Sequence, residues 1–98
     1  MPYFALYYDV VEDYAERRTP YRPEHLELAR EEAAAGRLLL GGGLGTDTVD
    51  GALLVFRTDD ASAVEEFARR DPYVREGLVT RWHVRPWSVV VGSLAEGG

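Results

Sequence analysis

The sequence predicts an α+β fold in which a four-stranded antiparallel sheet carries two helices on one face. Three observations carry this. Aromatic and β-branched residues alternate from Tyr3 to Val11, strong helix formers fill Glu24 to Ala35, and a second helical stretch after Asp59 and Asp60 leads into another strand. The 98 residues leave room for one domain. It is taken as residues 1–91, with 92–98 as a flexible tail.

In the first strand Phe4, Leu6, Tyr8 and Val10 share one face, and Tyr3, Ala5, Tyr7 and Asp9 the other. Glu12 to Thr19 is charged and aperiodic and reads as a loop. Pro20 and Pro23 mark a helix start, and Gly36 stops the helix as a C′ residue. Leu26, Ala29 and Ala33 form one side of its buried stripe, Leu28 and Ala35 the other. Arg37 to Leu40 begins a second strand that dissolves at Gly41-Gly42-Gly43 into a loose segment, and Asp50-Gly51 signals a hairpin turn. Ala52 to Arg57 is apolar enough for a central strand.

Asp59 or Asp60 caps the second helix, which runs to about Arg70 and buries Val64, Phe67 and Ala68. Asp71-Pro72 interrupts it, since a residue before proline is pushed out of the helical region. A fourth strand spans Leu78 to Val91, with Pro86 implying an edge or a bulge. The order is βαββαβ, the ferredoxin-like arrangement. Its helix-free face carries Ala5, Tyr7 and either Leu53 with Val55 or Leu54 with Phe56. An apolar face of this kind needs cover, and a second copy of the chain supplies it, so a homodimer is expected.

Composition narrows the chemistry. Seventeen acidic against 11 basic side chains give a formal net charge of −6, a poor match for nucleic acid or anionic membrane surfaces. Every basic residue is arginine, which excludes a Schiff-base or P-loop lysine. Cysteine is absent, and with it thiol nucleophiles, disulfides and cysteine metal sites. The N-terminal stretch lacks a signal-peptide pattern and no apolar run reaches membrane-span length, so a cytoplasmic location is expected. No cofactor motif and no metal-ligand spacing are present: Gly41-Gly42-Gly43-Leu44-Gly45 lacks the lysine and hydroxyl of a phosphate loop.

Two histidines occur. His83 lies between Arg81 and Arg85 on strand spacing, a polar, solvated face. His25 falls within the inward stripe of the first helix and can be a satisfied core histidine or an acid–base group. Asp71 can be an N-cap for a short helix carrying Tyr73, or a carboxylate that orients His25. Arg22, one turn before His25, can meet an anionic substrate, and Tyr7 and Tyr73 can line a pocket or pack as ordinary aromatics.

Arg22-Pro23-Glu24-His25-Leu26 with Gly36-Arg37-Leu38-Leu39, then Asp71-Pro72-Tyr73-Val74, Gly77-Leu78 and Val84-Arg85-Pro86-Trp87, resemble the YCII-related proteins in that order. The resemblance implies a ferredoxin-like fold that dimerises as an α/β barrel, with a His–Asp pair in a pocket, here His25 and Asp71. It associates the family with dehydrochlorination of a chlorinated hydroxyquinol. The triple glycine and the acidic loop before Arg22 depart from the pattern, so substrate identity does not transfer.

Two functions are weighed on this basis. One is a cofactor-independent lyase or hydrolase acting on a small, aromatic molecule; the other is a non-catalytic dimeric module that binds a small ligand. RNA binding, which shares the element order, is rejected: Gly51 to Phe56 lacks the basic and aromatic signature of a base-stacking strand.

Overall fold

The computed structural model describes residues 2–93. Strands β1 (Tyr3–Val10), β2 (Leu38–Leu44), β3 (Gly51–Arg57) and β4 (Val79–Trp87) form one sheet in the order β2-β3-β1-β4. All three pairings are antiparallel. Helix α2 (Arg22–Ala34) connects β1 to β2, and α3 (Ala61–Arg70) with the single turn α4 (Pro72–Arg75) connects β3 to β4. Each crossover skips one strand, so two split β-α-β units interleave and both helices pack on one face, the ferredoxin-like arrangement.

The face of β1 bearing Phe4, Leu6 and Tyr8 is the helix side and lies in the core with Leu54, Phe56, Val64, Phe67 and Ala68. Ala5 pairs with Val55 and Tyr7 with Leu53, which decides the open alternative: Leu53 and Val55 share the helix-free face. The second helix behaves as its pattern predicts. Asp60 is the N-cap, its Oδ1 accepting the Ser62 N–H at 2.9 Å, and Val64, Phe67 and Ala68 are buried. A cap of this type contributes about 1 kcal/mol.

Several expectations are corrected. The segment Glu12 to Thr19 is not a bare loop: it holds the single turn α1 (Tyr14–Arg17) and leads into a 3₁₀ turn at Thr19–Tyr21. The buried Tyr14 anchors it against the core. Ala33 and Ala35 are exposed, whereas Glu32 is buried because Arg37 grips both its carboxylate oxygens at 2.9 Å. Strand β2 continues through all three glycines, held by its ladder with β3 after an irregularity between Leu38 and Leu40. Pairing thus overrides the weak strand preference of glycine. The β2–β3 connection is longer than an Asp-Gly turn, since Gly51 already pairs with Leu44. Strand β4 ends at Trp87, before Val91, and Pro86 lies on this edge strand, where its missing N–H is tolerated. Of the expected tail at 92–98, residues 94–98 lie outside the described residues.

Candidate active site

Pro72 holds Asp71 out of the helical region at ψ 123°, and this one residue ends α3 and caps α4. Its carboxylate is fully buried (0% exposed) and is held from three elements. The Tyr73 N–H donates to Oδ1 at 3.0 Å, and the Tyr8 hydroxyl donates from β1 to Oδ2 at 2.7 Å. From the first turn of α2, His25 Nδ1 lies 2.9 Å from Oδ1 and 3.0 Å from Oδ2. N-cap and histidine partner are therefore not alternatives, because one carboxylate has enough lone pairs for both. An ionised carboxylate only accepts, so Nδ1 carries the proton of this bond and Nε2 of the neutral ring holds the lone pair. Nε2 has no hydrogen-bond partner among the described residues.

The ring is fixed in orientation as well. It stacks on Tyr73 with centroids 4.0 Å apart and planes 13° from parallel. Tyr73 meets Tyr14 edge to face at 5.5 Å, and the Arg18 guanidinium lies over the Tyr14 ring at 5.2 Å. Burial and the Asp71 charge push the Tyr8 phenol far above the usual tyrosine range. Burial pushes Tyr14 up to about 12, with Arg18 opposing. Tyr73 is raised by burial against the pull of Arg18 and Arg22. All three phenols are therefore neutral hydroxyls at neutral pH.

His25 and these tyrosines open onto a cavity of about 410 Å³ between α2 and the β2–β3 side of the sheet. Gly41 and Gly43 pair with Leu54 and Ala52, which line the same cavity, so both glycines form part of its wall. A Cβ on Gly41 would meet Leu54 Cγ at 3.4 Å, and one on Gly43 would lie 2.9 Å from Val49 Cγ1. Glycine here keeps the cavity wide.

Of the residues singled out from sequence, His25, Asp71 and Tyr73 come together, and Arg22 reaches the cavity wall. Tyr7 does not. It lies on the helix-free face, stacked on His83 at 5.1 Å, because strand alternation turns it away from Tyr8. Tyr8, Tyr14 and Arg18 were not singled out. The signal for Tyr8 was present in its phase with Phe4 and Leu6; Tyr14 and Arg18 sat in a stretch with no periodicity. Among the described residues no three His, Asp or Glu side chains converge as metal ligands. No helix of the described residues is long and apolar enough to cross a membrane.

No curated protein matches the chain. Among solved structures, 5-chloro-2-hydroxyhydroquinone dehydrochlorinase (TftG) from Burkholderia phenoliruptrix AC1100, in complex with 2,5-dihydroxybenzoquinone, superposes with a TM-score of 0.73. The two chains are 22% identical, over 88% of this chain and 93% of that one, a likeness that establishes the fold. A family model describing the YCII-related domain matches residues 1–88, a span that holds every strand, both long helices and the His25–Asp71 contact. The chain belongs to the YCII-related domain family.

Proposed function

We propose that the protein is a small-molecule enzyme in which His25 is the acid–base group and Asp71 positions it. One observation carries this: a buried carboxylate, anchored from three elements, sits beneath Nδ1 and leaves Nε2 free on a ring that borders the cavity. In an elimination, Nε2 takes a proton from the substrate. The released electron pair forms the new double bond, the leaving group departs with its bonding pair, and the imidazolium, stabilised by Asp71, returns the proton to water. In a hydrolysis the same nitrogen takes a proton from the attacking water. The cavity volume fits a single-ring molecule, and the tyrosines favour an aromatic one. The fold neighbour is named for dehydrochlorination and was solved with a dihydroxybenzoquinone, which supports elimination on an oxygenated ring.

Chloride release from chlorinated hydroquinols tests this in the wild type, His25→Asn and Asp71→Asn. Loss of the acid–base group is expected to lower kcat by about 10²- to 10⁴-fold. Imidazole NMR titrations of wild type and Asp71→Asn isolate the coupling, with His83, on the opposite face of the sheet from Asp71, as internal reference. The His25 curve is expected to move and the His83 curve to stay. A His25 curve indifferent to Asp71 removes the dyad, and a hydroquinol bound without being consumed favours the non-catalytic module.

We infer that the helix-free face is covered by a second copy of the chain. It carries Leu40 and Trp87, which are 63% and 47% exposed, beside Tyr7 and Leu53. Sedimentation velocity on wild type and Leu40→Glu checks this: a dimer weakened by the charge is expected, and a monomeric wild type at micromolar concentration overturns it.

A further inference from the structure

The cavity wall has a charge balance opposite to that of the chain. Seventeen acidic side chains against 11 basic make the protein a polyanion, yet the lining holds Arg18, Arg22 and Arg30 and no carboxylate. Asp71 lies behind His25 and Tyr73, fully buried. Among the described residues none of these three arginines is in an ion pair, whereas Arg17, Arg37, Arg69 and Arg75 each meet an acid. Arg18 is held over the Tyr14 ring, and the 3₁₀ turn Thr19–Tyr21 brings Arg22 to the same wall.

A second observation is independent of these charges. Tyr73 is 1% exposed and lines the cavity, and its hydroxyl makes no hydrogen bond of full geometry among the described residues, the Arg22 side chain lying within looser reach. A buried unpaired hydroxyl lowers stability, and such groups are rare unless something else uses them. Arg18, Arg22 and Tyr73 line the same cavity, and both guanidinium groups pull the Tyr73 phenol down against its burial.

We propose that this wall binds the carboxylate of a small aromatic acid, with Arg18 and Arg22 as the charged donors and the Tyr73 hydroxyl as the neutral one. The ring of the ligand then lies along the cavity beneath His25. Guanidinium groups suit this task because their planar fork matches a carboxylate. The proposal deepens the acid–base reading by naming the substrate class, but binding itself does not require turnover.

Benzoate and its neutral isostere benzamide are titrated by NMR into the wild type, Arg18→Gln, Arg22→Gln and Tyr73→Phe. Benzoate is expected to bind at least about tenfold more tightly than benzamide. Each arginine variant is expected to lose about five- to tenfold in benzoate affinity and nothing in benzamide affinity. Tyr73→Phe is expected to lose benzoate affinity with an unchanged or raised Tm, since no hydrogen bond of full geometry within the fold is lost. Equal affinities for the two probes, or benzoate binding indifferent to both arginines, overturn the proposal. So does a lowered Tm in Tyr73→Phe with benzoate affinity intact, which makes the hydroxyl structural. If Tyr73→Phe does not fold, the two arginine variants decide alone. Benzoate selectivity without turnover of any ring substrate leaves the anion site standing and removes the acid–base reading. Turnover with a KM indifferent to both arginines does the reverse.

Discussion

Helices α3 and α2 lie on the same face of the same sheet and use it in opposite ways. α3 closes on the strands: Val64, Phe67 and Ala68 are buried, and Phe67 meets Phe56 edge to face with ring centroids 5.1 Å apart. α2 fully buries only Leu28 and the paired Glu32, while Leu26, Ala29 and Ala33 border the cavity, Ala29 also packing against the core. The apolar residues of α3 gather on one side and those of α2 do not. A helix that fills a core needs a continuous apolar stripe, whereas α2 breaks its stripe with Arg22, His25 and Arg30, which line the cavity. Close packing therefore belongs to the α3 side of the sheet and the cavity to the α2 side.

The sharpest test of that division is a pair of truncations. Phe67→Ala is expected to cost about 3–5 kcal/mol by urea denaturation, and Leu26→Ala about 1 kcal/mol or less, because its surroundings are already open. Equal losses would break the comparison. Tyr8 belongs to both sides, and Tyr8→Phe removes a hydrogen bond to a buried charge, for an expected loss of about 1.5–3 kcal/mol. The variant also sharpens the alkaline behaviour. Tyr8 and Tyr14 titrate above the ordinary 10.0 when folded, so the stability they contribute is complete below that pH. It is lost as pH rises through the folded values, about 12 for Tyr14. Tyr8→Phe is expected to flatten this loss in Tm measurements above pH 10.0.

Gly41→Ala probes the cavity wall. Strand β2 is expected to gain about 0.5–1 kcal/mol from the methyl group, which meets Leu54 at ordinary contact distance, while turnover or benzoate affinity falls as the cavity narrows. A gain in both would show that this wall is not used. The smallest effect is expected at Glu32, held below the ordinary glutamate value of 4.5 chiefly by its hydrogen bond to Arg37. A lowered folded value stabilises above the unfolded one and is lost as pH falls through it. Glu32→Gln is therefore expected to flatten the acid decline of Tm below about 4.5 and to leave the alkaline limb unchanged.

The fold was more legible than the site, and the two helices explain why. The buried positions of α3, its cap at Asp60 and the break at Asp71-Pro72 follow from periodicity and turn chemistry within a few residues. For α2 the same rules misplace Ala33, where a cavity occupies the space that close packing would fill, and Ala35, which lies past the helix end as its C-cap. Tyr7 and Tyr8 make the point at finer scale. Alternation puts them on opposite faces, but only the packing of the helices shows that Tyr8 faces the cavity. The glycines of β2 read as a loop since glycine favours no strand, and the partner strand decides otherwise.

By itself the sequence determined the element order, the α3 stripe, the break at Asp71-Pro72 and the exclusion of lysine and thiol chemistry, all properties of composition or of neighbouring residues. Tertiary structure decided which groups meet. His25 and Asp71 are 46 residues apart, and Tyr8 and Asp71 are 63. They converge because the sheet order places β1 at the centre, beneath the junction of α3 and α4, while the α2 crossover brings its first turn to the same place. Local preferences act over one or two turns of chain, so a contact that depends on two interleaved crossovers cannot be encoded in any single stretch of it.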